Sequence, residues 1–400
     1  MATGWRFIAQ RALPETILDW EVPFTLSSNP KRDLSGPGSM AGTIEPEYAR
    51  MIGPDGKPIL QEWGTKLYLE IEGYIRWGGI VTKTAYDGPK ASIQAEGFSC
   101  YPQGIPYESY MISGALITPK DPYAGRDKNH DGWVDGKKGK QRVPPPPKPY
   151  GGPRIDTYDA FRNIWNHVQS RPYGNIGLKI DTHDLGENLG AADGSDPWEL
   201  AWWDNPDCGQ ALDTLTRTTP FDWVETHAWA AADGNAIDHR LMLGKPRLGR
   251  KRNDLRFAQG ENIMAIAKPE GMGDDYANEA VVLGKGEGRK MKRAQVHRYD
   301  GRLRRVATVT DKTLASDKAL RTRGERELAG RTQALQIPAI QIVDHPNARF
   351  GSWALGDDIR IQVHVPWVGD VDVWHRIVSD EISADGMVVL TLKRSDSFQY

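Results

Sequence analysis

The sequence predicts a mainly β (α+β) fold in which one β-unit is used twice, with helices and hairpins inserted between the copies. Three observations carry this. Near the C-terminus Ile359, Ile361, Val363 and Val365 alternate with Arg360, Gln362 and His364, the period of a half-buried strand. A similar phrase lies near the N-terminus, where Leu67, Leu69 and Ile71 alternate with Lys66, Tyr68, Glu70 and Glu72. Trp77 precedes Ile93 by sixteen residues, as Trp374 precedes Leu390. Trp63-Gly64 and Trp353-Ala354 open the two segments. The alternative is two ordinary hairpin pairs that share a tryptophan by chance.

Taken in order, residues 1 to about 100 are expected to be mostly strands. Residues 16–22 form one, Gly53-Pro54-Asp55-Gly56 is a turn, and Asp87-Gly88 turns the strand after Trp77 onto a last one with Ala91, Ile93 and Ala95 on one face. Residues 119–154 change composition and hold the run Pro144-Pro145-Pro146-Pro147-Lys148-Pro149, which must be extended and has almost no backbone donors for a sheet. This is expected to be a long surface excursion.

A helix follows, capped by Asp156, with Asp159 in its first turn. Tyr158, Phe161, Ile164, Trp165 and Val168 make its apolar stripe, and Arg171-Pro172 stops it. A second helix is expected to start at Asn205-Pro206 and bury Cys208, Leu212 and Leu215. A hairpin over 223–243 turns at Asp233-Gly234-Asn235. Strands are expected at 262–267 and 280–283, and Gly284-Lys285-Gly286-Glu287-Gly288 is a turn. A third helix over about 316–333 carries Arg321/Glu325 and Arg323/Glu327 at i,i+4, with Gly324 inside it as a kink or a close approach. Gly369-Asp370 and Asp385-Gly386 turn the terminal strands, and Val388, Leu390 and Leu392 line the last.

The bulk numbers bound the answer. At 400 residues two to four domains are expected. A net charge of -2 argues against a general nucleic-acid binder, and no apolar run approaches the roughly 20 residues that span a bilayer. The first twenty residues carry Arg6, Arg11 and Glu15, so no signal peptide is expected and synthesis is cytoplasmic. Cys100 and Cys208 could pair or be buried thiols, and a reducing compartment favours the thiols.

The sharpest motif is Asp127-Lys128-Asn129-His130-Asp131-Gly132-Trp133-Val134-Asp135. Oxygen ligands from Asp127, Asn129 and Asp131, a glycine at position six, the Trp133 carbonyl and the Asp135 carboxylate suit a Ca²⁺ loop. Lys138 stands where a bidentate Glu is expected and the flanks are not helical, so the site is incomplete. An Asx-rich turn without metal is the alternative. No other cofactor is indicated. The glycine-rich stretch at 284–288 lacks the Gly-Lys-Ser/Thr ending of a phosphate loop and is better taken as a hairpin turn. The basic runs 245–256 and 285–305 are not interleaved with aromatics, which favours a solvated face or a subunit contact. Trp198, Trp202 and Trp203 could form a sugar platform, or anchor a core or interface. No catalytic set stands out: the sequence has no His-Glu-x-x-His, Gly-x-Ser-x-Gly or zinc-like Cys/His spacing. His227, His239, His345, His364 and His375 fall in or beside expected strands. The chain is expected not to be an enzyme.

The phrase His239-Arg240-Leu241-Met242-Leu243-Gly244-Lys245-Pro246-Arg247-Leu248-Gly249, then Gly260-Glu261-Asn262-Ile263, then Asn278-Glu279 before the glycine-rich turn, resembles the minor tail proteins of long-tailed actinobacterial phages. That family is similar to siphophage baseplate hub proteins, and the Gly79-Ile80-Val81 hairpin and Leu355-Gly356-Asp357-Asp358-Ile359 strand fit its layout. The resemblance implies two related β-barrel domains per subunit and a homotrimer at the tail tip of the virion. Six barrels then meet a six-fold tail tube. It also implies the distal tail protein, the tape-measure protein and other minor tail proteins or fibres as partners, with genomic DNA in transit and the host envelope reached indirectly. The expected domains are a tube-like first barrel unit (1–100), a Pro/Gly/Lys-rich insertion (101–155), an α/β insertion (156–255) and a second barrel unit (256–400). The rival expectation is a carbohydrate-binding or carbohydrate-cleaving host-surface protein.

Overall fold

The computed structural model describes residues 4–13, 15–88, 90–120, 133–136, 139–142, 148–230, 236–266, 276–298, 300–312, 314, 316–331 and 336–395. The chain divides into two compact units, residues 1–99 with 221–400, and residues 100–220. The boundaries fall at 99/100 and 220/221.

The first unit is built on two barrels. Strands β1 (Trp5–Arg11), β2 (Thr25–Asp33), β3 (Gly36–Ile44), β4 (Thr65–Ile71), β5 (Tyr74–Asp87) and β6 (Lys90–Glu96) pair in the order β2-β3-β6-β5-β4-β1. This sheet rolls up. The Val22 amide, leading into β2, donates to the Phe7 carbonyl of β1 at 2.8 Å, and the Phe7 and Phe24 rings lie 5.0 Å apart. Phe7, Leu67, Leu69, Trp77, Val81 and Ile93 fill the interior. The faces read in the sequence at Leu67, Leu69 and Ile71 and at Ala91, Ile93 and Ala95 therefore point inward.

A hairpin of β7 (Trp223–Trp229) and β8 (Ile237–Leu243) follows the excursion. The turn expected at 233–235 lies outside the described residues. The second barrel comprises β9 (Phe257–Ala258) and β10 (Ile263–Ile266). A small sheet of β11 (Glu279–Leu283), β12 (Arg293–His297) and β13 (Val306–Thr310) comes next, covered by the helix Asp317–Arg331. The barrel resumes with β14 (Ala339–Ile342), β15 (Asp358–Val365), β16 (Gly369–Ile382) and β17 (Val388–Arg394), in the order β10-β14-β17-β16-β15-β9. It closes through the tight turn between β9 and β10. There the fully buried Asn262 accepts the Ala258 amide at 2.9 Å and donates to the Arg256 carbonyl at 2.8 Å. Ile359, Ile361, Val363, Ile377, Leu390 and Leu392 form its core.

The duplication is visible strand by strand. The triplet β4, β5, β6 has 7, 14 and 7 residues; the triplet β15, β16, β17 has 8, 14 and 7. Both long strands bulge midway, between Val81 and Lys83 and between Ile377 and Ser379, which lets each bend from one neighbour to the next. The tryptophans that first marked the repeat are not equivalent. Trp77 pairs with Leu69 and points into the core, 2% exposed, with its Nε1 donating to the Lys31 carbonyl at 3.0 Å. Trp374 pairs with Arg360 on the outer face, half-buried, with Lys251 Nζ 4.2 Å from its ring. Trp63 is exposed and Trp353 buried. The strands repeat, but each barrel core was repacked independently, so tryptophan spacing was the wrong marker.

Smaller expectations also shift. The strand expected at 16–22 shortens to Ile17–Asp19. The turn expected at Gly369-Asp370 falls earlier, at residues 366–368, where the Val368 amide donates to the Val365 carbonyl at 2.9 Å. Gly324 makes a close approach. It lets the helix Asp317–Arg331 sit on the small sheet, since a Cβ there would lie 3.0 Å from Val296 Cγ2. Glu327 bonds Arg323 and Arg331 on the same helix at 2.9 and 2.8 Å.

The second unit contains the helix Thr157–Ser170, capped by Asp156 as expected. The Asp156 carboxylate accepts the Tyr158 amide and also the amides of Leu185 and Gly186. The helix Cys208–Thr218 starts later than Asn205-Pro206, because Asn205 adopts a left-handed conformation and Asp207 takes the cap, accepting from the Gln210 amide at 2.8 Å. Cys100 and Cys208 are buried thiols and unbridged, and burial pushes the Cys208 thiol up to about 12.

Candidate functional site

The feature that distinguishes this architecture is the junction of the two barrels. β2 of the first pairs with β16 of the second, Asp33 with Ser379, Arg32 with Asp380 and Lys31 with Glu381. The buried Asp380 carboxylate is held by the Arg32 guanidinium, Nε to Oδ1 at 2.9 Å, and Asn29 donates to Glu381 at 2.9 Å. The Ser379 hydroxyl donates to the Arg32 carbonyl at 2.8 Å. The result is one sheet of thirteen strands. A backbone ladder reinforced by a charge-assisted bidentate pair makes the two barrels a single body.

The β7–β8 hairpin clamps this junction. Ser35, between β2 and β3, exchanges two bonds with Trp223: its amide donates to the Trp223 carbonyl at 2.8 Å, and its Oγ accepts the Trp223 amide at 3.1 Å. Asp222, just before β7, accepts from the fully buried Arg376 of β16 and from the Leu248 amide at 2.8 Å. Arg376 donates further to the carbonyls of Gly356 and Leu248 at 3.0 and 2.8 Å. The basic run 245–256 is thus tied to the second barrel through the buried Arg252, while Lys245, Arg250, Lys251 and Arg256 remain exposed. Arg252 binds Asp357 at 3.0 Å and Asp254 at 2.7 Å, and the Arg250 amide donates to Asp357 at 2.8 Å. The stretch at 284–288 is a turn between β11 and β12, with the Gly284 amide donating to the Lys292 carbonyl at 2.7 Å.

The other face of the hairpin covers the outside of the first barrel. Lys66 and Tyr68 of β4, which alternate with Leu67, Leu69 and Ile71, are both fully buried as well. Tyr68 stacks on His239 with an interplanar angle of 3° and donates to Gln10 at 2.8 Å, and His239 Nδ1 lies 3.2 Å from His227 Nδ1. Gly78 makes room: a Cβ there would lie 2.8 Å from the His227 ring. Glu225 accepts the amides of Phe98 and Ser99 at 2.7 and 2.8 Å, which pins the end of the first barrel to the hairpin. Burial raises the Glu225 carboxyl to about 7, against the lowering effect of its hydrogen bonds. Burial, with Lys66 and Arg32 nearby, lowers the His227 imidazole to about 3. His227, with Nε2 3.9 Å from Glu225, therefore stays neutral. A cavity of about 190 Å³ lies beside this cluster, lined by Arg32, Arg76, Trp77, Glu225 and His227. Nothing in the sequence pattern marked this cluster; only the burial of β4 on both faces reveals it.

Of the candidate Ca²⁺ ligands, Asp127, Asn129 and Asp131 lie outside the described residues. Trp133 and Asp135 lie in the strand Trp133–Gly136, paired with Gly139–Arg142. Among the described residues no group of three or more His, Cys, Asp or Glu is arranged to hold a metal ion. In the second unit Trp202 and Trp203 are exposed, 59% and 55%, and Trp203 stacks on Tyr110 with centroids 5.0 Å apart. Trp198 sits in the strand Trp198–Ala201 and is half-buried.

Two barrels fused edge to edge, with a separate unit inserted between them, define a β-rich double-barrel scaffold. The structure is similar to the 43 kDa tail protein of prophage MuSo2 from Shewanella oneidensis, at 12% identity and a TM-score of 0.50, over 99% of this chain and 100% of that one. It is also similar to a tail protein from Neisseria meningitidis MC58 (14% identity, TM-score 0.48, 98% and 97% covered). A third is prophage tail protein gp18 from Listeria monocytogenes EGD-e (10% identity, TM-score 0.48, 98% and 95% covered). At these identities the likeness is one of fold. No known family profile matches the sequence, and no curated protein does.

Proposed function

We propose that the chain is a structural virion protein that forms a homotrimeric hub at the tip of a phage tail. The observation that carries this reading is the pair of barrels with the same order of strand pairing, joined through β2 and β16 into one sheet. Three such chains closed by rotation present six similar barrels, which lets a three-fold object stack on a six-fold tail tube. The fold likeness to the prophage tail protein over both full lengths supports the same reading. The hub would contact a distal tail protein and other minor tail proteins or fibres. Its central passage would admit the tape-measure protein and then DNA in transit. In that role the chain has no catalytic task. The resemblance to tail proteins of actinobacterial long-tailed phages supports actinobacteria as the host group. The experiment is sedimentation equilibrium of the full chain: a species of three times 44.6 kDa supports the hub, and a closed dimer argues against it.

A second reading concerns the inserted unit alone. The contiguous exposed rings of Tyr110, Trp203 and Trp202 favour a sugar-binding face through which the tip reaches the host envelope. Pull-down on host cell-wall polysaccharide tests it: Trp202→Ala with Trp203→Ala abolishes retention on this reading. Bound Ca²⁺ at Asp127, Asn129, Asp131, Trp133 and Asp135 belongs to the same proposal. Calorimetric titration with Ca²⁺ and with an Asp131→Ala variant checks it.

A further inference from the structure

The two long strands β5 and β16 hold the same place in their barrels, yet only one is paired on both sides along its second half. β16 has β17 on one side through residues 375–382 and β2 on the other through Ser379, Asp380 and Glu381. β5 has β6 on one side through residues 80–87, and its pairing with β4 ends at Ile80. Beyond that point, among the described residues, no strand lies on its second side. Instead the Glu62 carboxylate accepts both the amide and the hydroxyl of Thr84, each at 2.6 Å. These two bonds hold the Glu62 carboxyl below its ordinary range. A side-chain carboxylate thus stands where a neighbouring strand's carbonyl would stand. Lys83, Ala85 and Tyr86 are exposed, Tyr86 by 78%.

We propose that the edge of β5 at residues 82–87 accepts a strand from the second barrel of another copy of this chain, repeating between subunits the junction that β2 and β16 make within one. The proposal rests on the trimer reading and deepens it. Each chain uses one barrel-to-barrel ladder internally, and the equivalent position on its first barrel is open. A ladder from the next chain fills it, giving a head-to-tail contact that closes after three copies with six like junctions. An unpaired strand edge is otherwise a liability for promiscuous pairing, and the Glu62 cap protects it until a subunit arrives.

The test compares the full-length chain with Thr84→Pro. Proline removes the edge amide but leaves the β6 ladder, and strand edges tolerate it. Sedimentation should show association at least ~10-fold weaker, which corresponds to ~1.4 kcal/mol, with the monomer's thermal transition little changed. Tyr86→Lys, which alters only an exposed side chain, should weaken association in the same direction. Hydrogen exchange at residues 82–86 should slow on assembly of the wild-type chain. A trimer that forms equally well in both variants, with this edge exchanging freely, overturns the edge pairing and leaves the trimer standing. A wild-type chain that never associates removes the trimer reading and the edge pairing together.

Discussion

Glu225 and His227 sit two residues apart on one strand, and burial acts on them in opposite directions. Glu225, held up to about 7, binds its proton more tightly in the folded chain than in the unfolded one. Its contribution to stability is therefore present at low pH and is lost as pH rises from the unfolded carboxylate range, near 4.3, through 7. His227, held down to about 3, is neutral in the fold and protonated when unfolded below about 6.5. Its contribution is lost as pH falls from there toward 3. Between about pH 4.5 and 6.5 the two slopes oppose each other, each about 1.4 kcal/mol per pH unit. Glu225→Gln should unmask the histidine slope. Relative to the wild-type chain, the variant's unfolding free energy should rise with pH across that window, as denaturant titrations at pH 4.5, 5.5 and 6.5 would show. Parallel curves would mean that Glu225 is ionised throughout. Asp222 and Arg376 pose a different residue-scale problem. Removing one member of a buried pair strands the other, so Asp222→Ala should cost about 3–5 kcal/mol. An Asp222→Leu/Arg376→Met double variant should recover much of that in equilibrium unfolding.

At the scale of the element, the alternating strands were legible and their outer surroundings were not. Leu67, Leu69 and Ile71, and Ile359 through Val365, declared their inward faces because a period of two has only two phases. The helix Thr157–Ser170 was legible for a similar reason, its cap and stripe being local properties. The burial of Lys66 and Tyr68 was not legible. It depends on a hairpin some 160 residues later in the chain, and the pairing of Tyr68 with His239 leaves no local trace. The tryptophan correspondence failed because composition at a core position is free to drift so long as volume is filled. It yields a direct comparison. Trp77→Ala should cost about 3–5 kcal/mol, the range for a buried aromatic. Trp374→Ala, on the half-buried outer face, should cost clearly less in the same thermal or chemical unfolding assay. The helix Asp317–Arg331 gives another. A larger side chain at Gly324 must push against Val296 and Val282, so Gly324→Leu should destabilise by about 1–3 kcal/mol despite leucine's better helix propensity.

At the scale of the whole molecule, the distinguishing feature of the fold is repetition. The two barrels share an order of pairing, a long bulged central strand and a core of their own, with Phe350 packed against both cores. The β2–β16 ladder and the Asp222–Arg376 pair join the two barrels. The sequence disclosed the repeat but not the junction, since a ladder of three residue pairs across some 350 positions has no signature in a single chain. The most direct measurement is electron-microscopic imaging of the full-length chain at concentrations where it associates. The proposed hub predicts class averages with six lobes around an open centre, three-fold on close alignment. A solid particle, or a two-fold assembly with no passage, would contradict it.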